Sequence, residues 1–246
     1  MRNLKLTMRY DGTDFYGWQR QPGCRTVQDT LEATLATLTV EPGIRVQASG
    51  RTDSGVHALG QVGNFVTHCR IPTDVFPRAL NKMLPDDLSI LECVEMPESF
   101  NANRDAVRKL YRYVMHDAPA RDPLMRRYSC HSNAPLDGAV MHRAAQVLHG
   151  THDFHSFETE WPNRKSSIRT IHHIAVSRMG EYLWLDVEAD GFLYNMVRAI
   201  AGTLMNIGRG HWPESDMARI IAAEDRREAG PTAPAQGLFL IRVTYA

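Results

Sequence analysis

The chain has 246 residues, enough for one large domain or two of about 100–150 residues each. It carries 28 basic and 28 acidic side chains, so total charge makes no case for a polyanionic partner. No run of eighteen apolar residues marks a transmembrane helix, and Met1–Thr7 lacks the apolar core of a signal peptide.

In chain order, Leu4, Leu6, Met8 and Tyr10 alternate with polar residues as in a strand. Thr26 is placed to cap a helix, with Asp29 in the capping-box position and Val27, Leu31, Leu35 and Leu38 as its apolar stripe. A short strand is expected near 44–48, then the loop Gly50–His57, then a strand around 61–67. Thr73 is expected to open a second helix with Phe76, Leu80 and Met83 on one side, before a strand from Leu88 to Val94. The second half repeats this order. Residues 109–116 alternate as a strand. Asp137 caps a helix bearing Val140, Ala144, Val147 and Leu148, which Gly150 ends. Strands at 171–178 and 182–188 follow. A long helix after Asp190 carries Leu193, Met196, Val197, Ile200, Leu204 and Ile207 on one stripe. Another helix starts near Pro213, and 238–245 forms a closing strand.

Each half therefore has the β-α-β-β-α-β order of a split βαβ, ferredoxin-like (RRM-like) unit. The expected fold is α+β, with two such halves, 1–104 and 105–246, whose antiparallel sheets flank a central active-site cleft. Cys24, Cys69, Cys93 and Cys130 are scattered with no Cys-x-x-Cys pair. They are expected to be reduced thiols of a cytoplasmic protein, neither a zinc site nor a disulfide framework.

Charge is unevenly spread. Arginine supplies nearly all the positive charge, the only lysines being Lys5, Lys82, Lys109 and Lys165. Residues 104–127 hold Arg104, Arg108, Lys109, Arg112, Arg121, Arg126 and Arg127. Residues 161–180 hold Arg164, Lys165, Arg169 and Arg178 and no acid. Such local surfaces suit phosphates even on a neutral protein, although a solvated face is the commoner reason for any one cluster.

The loop Gly50-Arg51-Thr52-Asp53-Ser54-Gly55-Val56-His57 is the most informative stretch. Its glycines let backbone approach a ligand, Arg51 offers a planar, permanently charged fork, and Asp53 is a displayed carboxylate fit for covalent or acid–base work. Taken alone, an ordinary Asp/Gly turn is the commoner reason for such a stretch. Tyr111 and Tyr113 share a strand face beside Arg108, Lys109 and Arg112; they either stack on bases or pack in a core. Arg198 sits at the edge of a helical stripe, placed either to snorkel or to turn inward onto a carboxylate. His152 and His155 lack a third metal ligand in reach, and His172 and His173 point to opposite faces of the expected strand. No phosphate-binding Gly-x-x-x-x-Gly-Lys loop or Gly-x-Ser-x-Gly elbow is present, and a hydrolase on Ser54 and His57 would stand in the wrong context.

Six blocks together resemble the bacterial tRNA pseudouridine synthase A family. They are Tyr10–Gln19, Gly50–His57, Ser99–Tyr113, His152–Phe157, Phe192–Arg198 and Gly230–Leu238. Ser54 stands where the family more often has alanine. The resemblance implies an isomerase that converts uridine to pseudouridine at positions 38, 39 and 40 of the tRNA anticodon stem–loop. It also implies a homodimer and no cofactor, and the isomerisation itself requires no metal; the cytoplasmic expectation rests on the scattered thiols, and the lack of a transmembrane run gives no membrane partner. Asp53 would be the catalytic aspartate and Arg198 its pairing cation. Tyr111 would stack on the target base, and Arg51 would contact RNA or help flip the base. Two other readings compete. A non-catalytic RNA-binding protein of two RRM-like modules would lack the expected Lys/Arg-Gly-Phe/Tyr-Gly/Ala-Phe motif. A nucleoside or glycoside hydrolase would want a second carboxylate.

Overall fold

The computed structural model describes residues 1–159 and 166–246. Arg164 and Lys165, two of the cations singled out above, lie outside the described residues. The chain is a mixed α/β protein built on mostly antiparallel sheet, divided into two compact units: Met1–Val107 with Phe239–Ala246, and Arg108–Leu238.

The first unit runs β1 (Arg2–Tyr10), α1 (Val27–Thr39), β2 (Gln47–Ala48), β3 (His57–Thr67), α2 (Phe76–Asn81) and β4 (Leu88–Met96). β1 lies between β4 and β3, antiparallel to both, and β2 pairs antiparallel with β3. Leu4, Leu6 and Met8 are fully buried, as are Val27, Leu31 and Leu35 of α1 and Phe76 and Leu80 of α2. That is the alternation and helical stripe expected of these segments. Thr26 Oγ1 accepts from the Asp29 amide (3.2 Å), while the Asp29 carboxylate turns to Arg20 (2.9 Å).

Two details of the first unit depart from expectation. Thr73 does not open α2: the helix begins at Phe76 with Pro77 in its first turn and no side-chain cap. Proline supplies the preset φ that a cap would otherwise support. Met83 lies past the helix end and is exposed. Glu32 is buried on α1, where its carboxylate accepts from Arg20 (2.7 Å), Arg45 (3.1 Å), Gln28 (2.9 Å) and the Val46 amide (2.9 Å). This fourfold satisfaction is what allows a carboxylate on an apolar face.

The second unit holds most of β5 (Ala106–His116), then β6 (Cys130–His131), α3 (Gly138–Gln146), β7 (Gly150–Asp153), β8 (Ile168–Met179), β9 (Tyr182–Ala189), α4 (Met196–Gly208) and α5 (Asp216–Ala223). Its sheet order is β5-β9-β8-β7, antiparallel throughout, with β6 parallel to β5 at one end. Asp137 caps α3 through the amides of Ala139 (2.9 Å) and Val140 (3.0 Å). The buried stripe of α3 is Met141, Ala144 and Ala145, continued by Leu148, with Val147 exposed. Gly150 does not end α3; it opens β7 with φ +98. α4 starts at Met196, six residues beyond Asp190, whose carboxylate instead accepts from the Thr170 amide (3.1 Å).

His172 and His173 do not face opposite ways. A register shift in β8 between Ile171 and His173 leaves both exposed. A bulge inserts one residue and breaks the period-two alternation. The closing strand β10 (Leu238–Tyr245) lies, from Phe239 on, in the first unit. There Phe239 and Leu240 run parallel to His57 and Ala58 of β3, and the Tyr245 hydroxyl donates to the Ala102 carbonyl (2.7 Å).

Candidate active site

The Gly50–Val56 loop of the first unit is held by the segment Asp11–Trp18 that follows β1. The Trp18 amide donates to the Thr52 carbonyl (2.9 Å), and Ser54 Oγ donates to the Phe15 carbonyl (3.3 Å). The Gly12 amide donates to His57 Nδ1 (3.0 Å), with Asp11 Oδ1 3.1 Å from the same nitrogen. Such close backbone contact explains the glycines of the first block. A Cβ on Gly12 would fall 2.0 Å from the Val56 carbonyl oxygen. One on Gly17, whose φ is +80, would fall 2.7 Å from that of Thr52.

Beneath the loop the Tyr10 hydroxyl meets Thr52 Oγ1 (2.8 Å) and Gln61 Nε2 (3.4 Å), and Gln61 also donates to the Gly50 carbonyl (3.0 Å). Burial pushes the Tyr10 phenol up to about 12, so it stays a neutral donor at any physiological pH. Phe15 and Trp18 close round Tyr10 with ring centroids at 6.4 and 6.5 Å. Gly55 makes the turn itself, with φ +77. Asp53 is therefore carried, half-buried, on a loop whose backbone is fixed from two sides. Arg51 is exposed, and its guanidinium has no ion pair or hydrogen bond among the described residues.

In the second unit Tyr111 lies on β5 opposite Val187 and packs edge-on against Phe192, centroids 4.9 Å apart. It is buried, as is Tyr113 two residues on. Tyr113 is a core residue: it is fully buried, its hydroxyl donates to the Pro234 carbonyl (2.8 Å), and burial raises its pKa well above the ordinary phenol value. Arg198 is turned inward and held. Nε donates to the Ala233 carbonyl (2.7 Å) and Nη1 to Asn195 Oδ1 (2.8 Å). Asn195 takes a left-handed φ of 62, tolerable for asparagine, and also donates from Nδ2 to Thr159 Oγ1 (3.0 Å). That spends the side chain that would otherwise cap α4.

The Gly230–Leu238 block is the ordered strap that receives Arg198. The Ala233 amide donates back to the Arg198 carbonyl (3.1 Å), and a Cβ on Gly202 would sit 1.8 Å from the Pro231 oxygen. The His152–Phe157 block is architectural at Phe154, Ser156 and Phe157, which are buried. Ser156 Oγ donates to the Ile220 carbonyl (2.7 Å) and accepts from the Asp225 amide (2.9 Å).

The structure also sorts the arginine clusters. Arg104 pairs with Asp105 (2.7 Å), and Arg108 with Glu188 (3.7 Å). Arg112 chelates Asp186 through two 2.7 Å bonds while lying 4.2 Å over Trp184, and Arg178 chelates Asp117. Arg121 and Arg126 are exposed on the loop after β5, which Asp122 folds by accepting from the Leu124 and Met125 amides. The sequence showed a cluster; for Arg108, Arg112 and Arg178 only tertiary pairing shows which members carry a carboxylate.

A family model described as tRNA pseudouridine synthase matches residues 6–103 and 144–246, stretches that contain the loop, the N-terminal clasp, Arg198 and its strap. The chain belongs to the tRNA pseudouridine synthase family. It is 45% identical over 245 residues to the tRNA pseudouridine synthase A of Acetivibrio thermocellus, covering 100% of both chains. It is 47% identical over 244 residues to that of Moorella thermoacetica, covering 98% of this chain and 99% of the relative. It is 45% identical over 239 residues to that of Halalkalibacterium halodurans, covering 97% and 91%. Family membership reaches both units, since the matched residues fall in each.

Proposed function

We propose that this chain is a tRNA pseudouridine synthase acting on uridines 38, 39 and 40 of the anticodon stem–loop. The observation that carries the reading is the Asp53 loop: a carboxylate on a backbone clasped by residues 11–18, in a chain similar along its whole length to tRNA pseudouridine synthases. Asp53 is the catalytic carboxylate. Arg198, already oriented by Ala233 and Asn195, supplies the cation that keeps it ionised once RNA excludes water. Tyr111 stacks on the target base, and Arg51, a permanently charged fork without a protein partner among the described residues, takes an RNA phosphate or helps flip the base.

The reaction breaks the bond from C1′ to N1, turns the uracil and closes a bond from C1′ to C5; the C5 hydrogen leaves as a proton and N1 takes one up from solvent. No group is gained and no electron is lost, so the chemistry calls for neither cofactor nor metal. The carboxylate serves either by attack on the sugar or base or by taking a proton on the way through a glycal-like intermediate.

Each half is read as a ferredoxin-like unit. The first unit supports this with β1 between β4 and β3, β2 antiparallel to β3, and two helices, β10 lying beside β3 as an addition. The protein works as a homodimer in the cytoplasm on this reading. The four free cysteines fit a reducing compartment, and among the described residues no helix is long and apolar enough to cross a membrane. A non-catalytic RNA-binding role is not favoured, because it leaves Asp53 unexplained.

The test is to incubate the protein with an unmodified tRNA transcript and map carbodiimide-dependent primer-extension stops. Stops reporting positions 38–40 support the proposal. An unmodified transcript, or release of free uracil, overturns it.

A further inference from the structure

Tyr16 is an aromatic side chain that the fold leaves out. Its neighbours Phe15 and Trp18 are buried against Tyr10, yet Tyr16 is 59% exposed, and its ring and hydroxyl have no partner among the described residues. It is not on a slack loop. Its amide donates to the Arg25 carbonyl (2.9 Å), its carbonyl accepts from Gln21 Nε2 (3.1 Å), and Arg25 is itself pinned over Phe15 at 4.0 Å and paired with Asp87. The next residue, Gly17, packs its backbone on the Thr52 carbonyl, immediately before Asp53 and immediately after the exposed Arg51. Two loop segments whose backbones touch thus carry an uncovered ring at Tyr16 and an unpaired guanidinium at Arg51, and the second of them carries Asp53.

The geometry points to Tyr16 as a base-stacking residue for the substrate RNA. It receives an unpaired base beside the uridine delivered to Asp53, while Arg51 takes the backbone. This inference rests on the function proposed above. Stacking suits the position because extruding one nucleotide from a stem–loop strips a neighbour of its stacking partner, and an aromatic ring replaces it whatever the base. The hydroxyl is not required, which separates stacking from hydrogen-bond recognition.

The experiment measures binding of an anticodon stem–loop RNA to the full chain and to Tyr16→Ala, Tyr16→Phe and Arg51→Ala across a salt series, with thermal midpoints alongside. Tyr16→Ala is expected to weaken binding about 5- to 160-fold with the slope of log affinity on log salt unchanged. Tyr16→Phe should bind within about twofold of the parent. Arg51→Ala should flatten the slope by about 0.7–0.9. The midpoint of Tyr16→Ala should match the parent, because the ring buries little. Parental affinity in Tyr16→Ala overturns the inference while leaving the proposed function standing. A loss in Tyr16→Phe equal to that in Tyr16→Ala overturns it in favour of a hydroxyl contact. A parent that binds no RNA overturns the function and the inference with it.

Discussion

Replacing Gly17 with alanine asks whether the segment after β1 shapes the Asp53 loop. The new Cβ would meet the Thr52 carbonyl oxygen at 2.7 Å and the Asp53 carbonyl carbon at 3.1 Å. Both are backbone, so the loop itself must move. An L side chain at φ +80 costs roughly 1–2 kcal/mol. Losing the 2.9 Å bond from the Trp18 amide to Thr52 costs about 1 kcal/mol more. The total, about 2–3 kcal/mol, lowers the thermal midpoint by about 4–12 °C in a chain of this size. Displacing Asp53 by up to about 1 Å should cost about 100-fold in kcat/KM. The proper control is Gly23→Ala, where φ is +74 but nothing lies within 4 Å of the new Cβ. It bears the same backbone strain, roughly 1–2 kcal/mol, without the clash. Tritium release from tRNA and thermal unfolding are measured on both variants. A Gly17→Ala enzyme as active as the Gly23→Ala enzyme would refute the idea that this contact positions the loop.

Val40 ends α1 in the left-handed region (φ 57) and is 86% exposed, so Val40→Gly should remove strain and raise the midpoint by about 2–4 °C; an unchanged or lower midpoint in calorimetry counts against it. Asp117 accepts from both Nη atoms of Arg178 (2.9 and 2.7 Å) and from the Leu136 amide (2.9 Å), and these bonds, the Arg178 pair foremost, hold its carboxyl below the usual range. A depressed folded-state pKa gives stability that is present above the unfolded value of about 3.9 and is lost as pH falls through the folded one. Asp117→Asn should therefore cost about 2 kcal/mol at neutral pH and little once the parent carboxyl is protonated. Urea titrations at several pH values that showed a constant difference would refute this. Ser54→Ala removes one long bond to Phe15, so stability should change by less than about 1 kcal/mol and activity by less than about twofold; a large loss of kcat in single-turnover assays would give Ser54 a chemical role.

Strands and helices with one buried face were legible because period and burial coincide. Leu4, Leu6 and Met8, or Val27, Leu31 and Leu35, declare their element without help from the rest of the chain. The closing strand was legible at its observed bounds, but its partner was not: lying beside His57 and Ala58 is a contact across about 180 residues that no local pattern encodes. Thr73 misled because a residue that often stands at helix starts lies three places before the helix that Phe76 and Pro77 open, and α3 misled because alanines filled the buried stripe while Val147 faced out. In the site, Asp53 stood out through its glycines and Arg51, whereas the inward turn of Arg198 depends on the Ala233 carbonyl, 35 residues away. Glu32 gave no sign of burial because its four donors come from three separate segments. Tyr16 was hidden inside the first block, since exposure of one aromatic among buried ones is a tertiary fact.

On the proposed function, Asp53 drives an isomerisation that makes a new bond at uridine C5. The most direct measurement is tritium release from tRNA labelled at uridine C5, comparing the native chain with Asp53→Asn, which keeps the size and loses the charge. Release by the native chain with no free uracil, abolished in a folded Asp53→Asn protein that still binds tRNA, is the predicted result. Equal release from both proteins would take the chemistry away from Asp53, and no release from a native chain that binds tRNA would rule out the isomerase.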